Sequence, residues 1–144
     1  MDQILWEAIS EFEKAFGRCR KNIMQRFNLS AIEVDVLIFL TNFPQYTTAT
    51  EIAANTNLKK SHISLAVGKL LYKGYLTRKA DETNHKRLHL QLTENAAEIA
   101  HFGRTQLALL TKALFLNFSE KEQNFFDQMC ARIITNIRAT YESF

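Results

Sequence analysis

The stretch NHKRLHLQLT, residues 84–93, constrains the fold more than any other part of this chain. Its apolar residues recur at every second position, as Leu88, Leu90 and Leu92, and this alternation predicts a half-buried strand. Elsewhere apolar residues recur every three or four positions, and the chain has only four glycines and one proline, which favours long helices. The sequence therefore predicts a mainly α fold with one small β-hairpin.

The first part of the chain predicts two helices. The first carries an apolar stripe made of Leu5, Ile9, Phe12, Phe16, Cys19, Ile23 and Phe27. Ser30 and Glu33 then have the spacing of a capping box. The run that follows, 31–43, is apolar nearly all round, so we expect a buried helix that Pro44 ends.

A short helix and a longer one come next. Thr48 and Glu51 form a second capping box, and the short helix stops at residues 55–57. The longer helix is predicted over about 60–73, with Gly74 as its C-terminal cap. Its inward face comprises Ile63, Ala66, Val67, Leu70 and Leu71. Its opposite face comprises Ser61, His62, Ser64, Leu65, Gly68 and Lys69.

The hairpin and two further helices complete the order of elements. Strands are predicted at 75–79 and 87–92, joined by the polar loop 80–86, and a helix begins at Thr93. Ser119 and Glu122 form a third capping box before the last helix. That helix has the apolar stripe Phe126, Cys130, Ile133, Ile137 and Tyr141.

This order is that of a winged helix: a helix-turn-helix followed by a β-hairpin, the wing. We expect a winged helix-turn-helix DNA-binding domain at 30–94. We expect 1–29 and 95–144 to form a helical dimerisation region with the flanking N- and C-terminal helices.

Several classes of protein are disfavoured by what the sequence lacks. No apolar run reaches the roughly 20 residues that span a membrane. The stretch MDQILWEAISEFEK is acidic and amphipathic, unlike a signal peptide, so we expect a cytoplasmic protein without a membrane partner. Cys19 and Cys130 have no metal-site spacing, and no phosphate loop, nucleophile elbow or paired-carboxylate motif is evident. We therefore expect no metal, no cofactor and no enzymatic activity.

Charge is concentrated in one part of the chain. Residues 59–87 include eight basic and two acidic side chains, a net charge of +6, which leaves −3 on the remainder of the chain. A basic patch on a nearly neutral protein favours nucleic-acid binding, although a solvated lysine-rich face is the alternative.

Residues 48–96 carry the resemblance to a known family. They include Glu51-Ile52-Ala53 in the short helix and LLYKGYLTR, 70–78, at the end of the longer one, and the wing returns through Leu92-Thr93. This pattern resembles the MarR (multiple-antibiotic-resistance regulator) family of bacterial transcription regulators. The resemblance implies a homodimer that binds pseudopalindromic double-stranded DNA.

The chain departs from that family at three positions. Asn84 and Lys86 stand where the wing usually carries an Asp and an Arg, and Ala96 replaces a glycine. Asn84 cannot pair with a wing arginine, and Lys86 has no planar guanidinium. These departures favour the alternative, a winged-helix protein-interaction module that has lost sequence-specific DNA binding.

The residues expected to bind DNA follow from the helix-turn-helix, whose second helix enters the major groove. Gly68 would let the backbone come close. To base edges we assign Ser61, His62, Ser64 and Lys69. To phosphates we assign Lys59, Lys60 and Lys73. To the adjacent minor groove we assign the wing residues Lys86 and Arg87, supported by His85.

The dimer and its regulation rest mainly on the resemblance. The residues expected between subunits are Phe12, Phe16, Phe126, Ile133, Ile137 and Tyr141. The family responds to small aromatic or lipophilic ligands, or to oxidants through cysteine. Cys19 has cationic neighbours that would favour a thiolate, but its place on an apolar stripe is typical of a small buried hydrophobe.

Overall fold

The computed structural model of the chain describes residues 2–141 and confirms the mainly α winged-helix fold. A 3-10 turn, Glu94–Ala96, follows the hairpin, so the next helix begins at Ala97 and not at Thr93 as predicted. The elements are α1 (Gln3–Phe27), α2 (Ala31–Asn42), α3 (Ala49–Ala54), α4 (Lys60–Tyr72), β1 (Leu76–Ala80), β2 (Leu88–Leu92), α5 (Ala97–Leu114) and α6 (Glu120–Tyr141).

The helix starts predicted from capping boxes are confirmed. The Ser30 hydroxyl accepts from the Glu33 N–H at 3.3 Å, and the Glu33 carboxylate accepts from the Ser30 N–H at 2.8 Å. Thr48 with Glu51 and Ser119 with Glu122 form the same reciprocal pairs. These caps satisfy backbone donors that the first turn of a helix leaves free.

The end of α4 explains why β1 begins one residue later than predicted. Gly74 has φ +78°, and its N–H donates to the Leu71 carbonyl at 3.1 Å. The Tyr75 N–H donates to the Leu70 carbonyl at 3.0 Å, which completes a Schellman motif. Tyr75 therefore belongs to the helix cap, and the strand starts at Leu76.

The core lies between α2, α4 and the hairpin. Its fully buried side chains, Val34, Val36, Ile52, Ile63 and Leu70, have no exposed surface. Within residues 2–141, no buried side-chain nitrogen or oxygen lacks a hydrogen-bond partner. This core fixes α4 with its inward face covered and its opposite face open.

The hairpin is antiparallel and packs one face on the core. Leu76 pairs with Leu92 and Ala80 with Leu88. Leu76 and Leu90 are buried, and the Leu90 N–H donates to the Thr47 carbonyl at 2.7 Å. A backbone hydrogen bond therefore joins the hairpin to the segment that precedes α3.

The chain divides into two compact units, one up to Leu110 and one from Thr111 onward. In the first unit, α1 buries only Ile23. In the second, α6 buries none of its residues, and the Phe115 ring meets Phe118 and Phe126 edge-to-face at 5.7 and 5.4 Å.

Within residues 2–141, no helix is both long and apolar enough to cross a membrane.

Candidate nucleic-acid interface

One side of α4 is open to solvent and carries all four residues predicted to contact bases. We call it the outer face of α4. It consists of Ser61, His62, Ser64, Leu65, Gly68, Lys69 and Tyr72. The inward residues Ile63, Ala66 and Leu70 are buried. Burial of one stripe therefore fixes which side chains a bound molecule would meet.

The N-terminus of α4 differs from those of α2 and α3. Lys59 is its N-cap residue and makes no side-chain cap hydrogen bond. Lys59 and Lys60 are both exposed. Free backbone N–H groups and the positive end of the helix dipole favour an anion at such an end.

Lys73 is engaged within the chain. Its ammonium lies 2.7 Å from the Glu33 carboxylate, which is 2% exposed and also belongs to the α2 capping box. Burial raises the pKa of Glu33, but hydrogen bonds from Lys73 and Ser30 outweigh burial and lower it overall. Lys73 therefore ties the end of α4 to the start of α2, which leaves it less available to a phosphate.

The wing loop, 81–87, is organised by two of its own side chains. The Asp81 carboxylate accepts from the Thr83 N–H at 3.1 Å, the Thr83 hydroxyl at 2.7 Å and the Asn84 N–H at 3.1 Å. The Asn84 side-chain oxygen accepts from the Lys86 N–H at 3.1 Å. Asn84 thus shapes the tip without an ion pair, and the side chains of His85 and Lys86 point away as exposed groups.

A hydrogen-bonded chain joins the wing loop to the segment before α3. His89 Nε2 lies 2.8 Å from Asp81, and His89 Nδ1 lies 2.6 Å from the Thr47 hydroxyl. A neutral imidazole protonated at Nε2 would donate to Asp81 and accept from Thr47. The contact with His89, followed by those with Thr83, holds the pKa of Asp81 well below its usual range.

A second link joins the wing to α3. The Arg87 guanidinium lies 3.1 Å from Glu51, the residue that caps α3. The hydrogen bond from the Thr47 N–H is the largest influence on Glu51, and with Thr48 and Arg87 it lowers the pKa of this carboxyl. Arg87 therefore holds the wing against α3 in addition to any contact it makes outside the chain.

The positive charge of segment 59–87 is mostly free of internal partners. Of its eight basic side chains, only Lys73 and Arg87 form ion pairs within the described part of the chain, which leaves six. Those six are Lys59, Lys60, Lys69, Arg78, Lys79 and Lys86. Cations without an acidic partner keep their full attraction for a polyanion.

The features expected to serve regulation are Cys19 and a cavity between the helices. The Cys19 thiol is half-buried, 3.7 Å from the Gln106 carbonyl, and its neighbour Arg20 pairs with Asp35 at 3.0 Å. The gap between α1, α2 and α5, lined by Ile23 and Gly103 among others, is about 10 Å³. That volume holds about one water molecule. Among the described residues, no group of three or more His, Cys, Asp or Glu is placed to hold a metal ion.

Sequence reasoning missed the internal ties of this site and assigned no contact to Leu65. One of these ties joins Thr47 to His89, which lie 42 positions apart in the sequence. No local sequence pattern predicts a contact between residues so far apart. Leu65 had a local signal, because it follows Ser61 by four positions and so lies directly along the outer face.

The winged-helix segment is similar to a known family. Residues 27–87 match the model of the MarR family. No curated protein is significantly similar to the chain in sequence.

Solved structures share the fold over nearly the whole chain. A MarR-family regulator from Listeria monocytogenes complexed with a 26-mer DNA has a TM-score of 0.82 at 16% identity, covering 97% of this chain and 92% of that one. The MepR–DNA complex from Staphylococcus aureus has a TM-score of 0.72 at 17% identity, covering 95% and 96%. A MarR transcriptional regulator from Methanosarcina mazei has a TM-score of 0.73 at 14% identity, covering 96% and 99%.

The family model and the shared fold agree with the pattern carried by residues 48–96. The resemblance to the MarR family is therefore confirmed: the winged-helix segment matches the family's model, and the chain has the fold of MarR-family transcription regulators.

Proposed function

We propose that this protein is a transcription regulator that binds pseudopalindromic double-stranded DNA as a homodimer. The observation that carries the proposal is the set of six unpaired cations in segment 59–87, beside an open face of α4. The major groove of DNA is wide enough to admit an α-helix. Two of the similar structures are complexes with DNA, which supports the same assignment.

In this proposal the outer face of α4 lies in the major groove. Ser61, His62, Ser64 and Lys69 face base edges, while Lys59 and Lys60 meet phosphates at the start of the helix. The exposed positions of all six side chains support these roles. Lys73 is left out, because its ammonium is paired with Glu33.

The wing is proposed to meet the adjacent minor groove through Lys86, with His85 beside it. Within residues 2–141, neither side chain has an ion-pair or hydrogen-bond partner, and the loop beneath them is held by Asp81 and Asn84. Arg87 has two roles in the proposal: it anchors the wing to Glu51, and its remaining guanidinium donors face DNA.

The homodimer is proposed to use the chain ends, 1–29 and 95–144, while 30–94 binds DNA. Exposed apolar residues support this division. They include Ile4, Trp6, Ile9 and Phe12 in α1, and Phe125, Phe126, Ile133 and Ile137 in α6. Apolar area of this extent on a water-exposed helix is typical of a surface that another chain covers.

An apolar cleft lined by Phe118, Phe125, Phe126 and Met129 measures about 530 Å³ and is one place where a small aromatic or lipophilic ligand could bind. The gap between α1, α2 and α5 would have to open to hold such a ligand. At about 10 Å³ it is far smaller than the few hundred Å³ of an ordinary ligand pocket. Melting temperatures measured with and without millimolar salicylate, as a small aromatic acid, would test this. A rise that saturates with concentration is expected, and no change would count against the ligand.

Selection of duplexes from a random DNA library tests the function directly. The purified protein at near-physiological salt should enrich a two-fold pseudopalindrome with half-sites about one DNA turn apart. Failure to enrich any sequence would favour the alternative, a protein-interaction module.

Substitution of Lys86 tests the wing. Lys86→Ala should weaken binding to all duplexes and reduce the slope of log K against log salt by about one. The matched control is Lys112→Ala, which removes an exposed cation from α5 and should leave the slope unchanged. An unchanged slope for Lys86→Ala would contradict the wing assignment.

A further inference from the structure

Leu65 lies at the centre of the outer face of α4 and is 67% exposed. The helix buries its other aliphatic side chains fully or in part: Ile63, Ala66 and Leu70 are at most 4% exposed, and Val67 and Leu71 are half-buried. Leu65 therefore contributes little to the core of this chain, and its apolar surface faces the position proposed for DNA.

Helical spacing shows how central this position is. Ser61, Leu65, Gly68 and Tyr72 follow one another at steps of four, three and four, so they form one line along the helix. His62 and Lys69 flank that line on one side and Ser64 on the other, as 100° per residue requires. A helix that enters a groove by this face brings Leu65 closer to the base edges than Ser64, His62 or Lys69.

Gly68 leaves room beside Leu65. A Cβ added at Gly68 would meet no atom within 4 Å, so packing inside the chain does not require glycine there. Glycine also lowers the stability of a helix relative to alanine. An empty position next to Leu65 allows the helix backbone, and with it the leucine, to approach the floor of a groove.

The chemistry of the major groove leaves one partner for a leucine at this position. Base edges there present hydrogen-bond donors and acceptors, and their one apolar group is the C5-methyl of thymine. Leucine offers no hydrogen bond, so pressing it on a polar edge would desolvate that edge without compensation. We propose that Leu65 determines sequence specificity by packing against a thymine methyl group in each half-site.

This inference rests on the proposed DNA-binding function and deepens it. The test begins with the duplex that the full-length protein enriches from a random library. Each thymine of one half-site, together with its symmetry mate, is replaced in turn by deoxyuridine, which removes only the methyl group. Dissociation constants are then measured at one fixed salt concentration.

At one thymine position, deoxyuridine should weaken wild-type binding about four-fold per half-site, as expected for the loss of one buried methyl group. Leu65→Ala should bind the thymine and deoxyuridine duplexes equally, whereas Leu65→Met should keep the preference for thymine. The matched control is Leu109→Ala, which truncates a leucine that is 58% exposed in α5 and should keep the wild-type ratio.

The outcomes separate the two proposals. An enriched duplex with no methyl-sensitive thymine, or a Leu65→Ala variant that still prefers thymine, would overturn the role of Leu65 and leave DNA binding standing. No enriched duplex at all would overturn both. Because Leu65 is exposed, its truncation should leave the melting temperature nearly unchanged, which checks that folding is intact.

Discussion

The winged-helix segment and the last helix place their apolar residues in opposite environments. In the segment 30–94, Val34, Ile52 and Ile63 have no exposed surface. In α6, Ile133 and Ile137 are 52% and 53% exposed, although they recur at helical spacing. Aliphatic side chains thus stabilise the winged-helix segment by internal packing, whereas those of the α6 stripe remain exposed.

The comparison teaches what each sequence pattern specifies. An apolar stripe that other helices and strands of the same chain can cover, such as the stripe containing Ile63, predicts internal packing. A stripe on a helix that buries none of its residues, such as α6, specifies only that something apolar should cover it. Four predictions test this contrast.

The largest effect is expected from truncating the covered isoleucine. Ile63→Ala should lower the free energy of unfolding by about 2–5 kcal/mol, because it leaves a cavity in a filled core. The matched variant Ile137→Ala truncates an exposed isoleucine and should cost less than about 0.5 kcal/mol under monomeric conditions. Urea unfolding at two protein concentrations measures both, and equal losses would remove the contrast.

The second prediction concerns the uncovered stripe of α6. Ile137→Glu should raise the dissociation constant of the proposed homodimer by at least about a hundred-fold, because a carboxylate would be buried among apolar groups. Thr135→Glu adds the same charge on the side of α6 away from the stripe and should have little effect. Sedimentation over a concentration series measures the change. A wild-type protein that sediments as a monomer at micromolar concentration would exclude the dimer.

The third prediction uses the pKa of Glu33, which is lowered overall in the folded state. A carboxyl of this kind stabilises the fold above its unfolded pKa, and that contribution is lost as pH falls through the folded value. Wild-type stability should therefore fall as the pH decreases below about 4.5, the ordinary pKa of a glutamate. In Lys73→Met the carboxylate loses its ammonium partner, so the Glu33 pKa should rise relative to wild type and the variant should be about 1–2 kcal/mol less stable at pH 7.

Acidification should then narrow the difference in stability between Lys73→Met and wild type, because protonated Glu33 no longer gains from the Lys73 ammonium. Lys79→Met is the control, since Lys79 is exposed and has no ion-pair partner within the described residues. Urea unfolding at several pH values distinguishes the two variants. Parallel pH profiles for wild type and Lys73→Met would show that the pair with Glu33 contributes little.

The smallest effect is expected at Gly68. Gly68→Ala should stabilise the fold by about 0.5–1 kcal/mol, because alanine has the higher helix propensity and its Cβ meets no atom of the chain. The same change should weaken duplex binding, because the methyl group enters the space beside Leu65. Gly17→Ala in α1, also with nothing within 4 Å of the added Cβ, should stabilise similarly without weakening binding. Thermal melts and duplex titrations provide the two readouts.

The parts of the fold that were predicted from the sequence are those specified by local chemistry. Ser30 with Glu33, and Thr48 with Glu51, act over one helical turn, and Gly74 ends α4 through its own positive φ. The alternation of apolar and polar residues from Leu88 to Leu92 predicted β2, because it too is a local pattern.

The ties that shape the candidate site were not predicted, because they join distant residues. Lys73 meets Glu33 across forty positions and Arg87 meets Glu51 across thirty-six. Asn84 stands where the family usually has an Asp, so the loop was expected to lack a carboxylate there. Asp81, three residues earlier, supplies a carboxylate to the same loop. Side-chain networks of this kind depend on the tertiary fold, which a local pattern does not encode.

The links from Arg87 to Glu51, from His89 to Thr47 and from Leu90 to Thr47 have a mechanical consequence. They tie the wing to α3 and to the segment before it, so in the proposed DNA complex the angle between the major-groove and minor-groove contacts of one subunit would stay fixed. In the proposed homodimer, the remaining variable would be the distance between the two winged-helix segments.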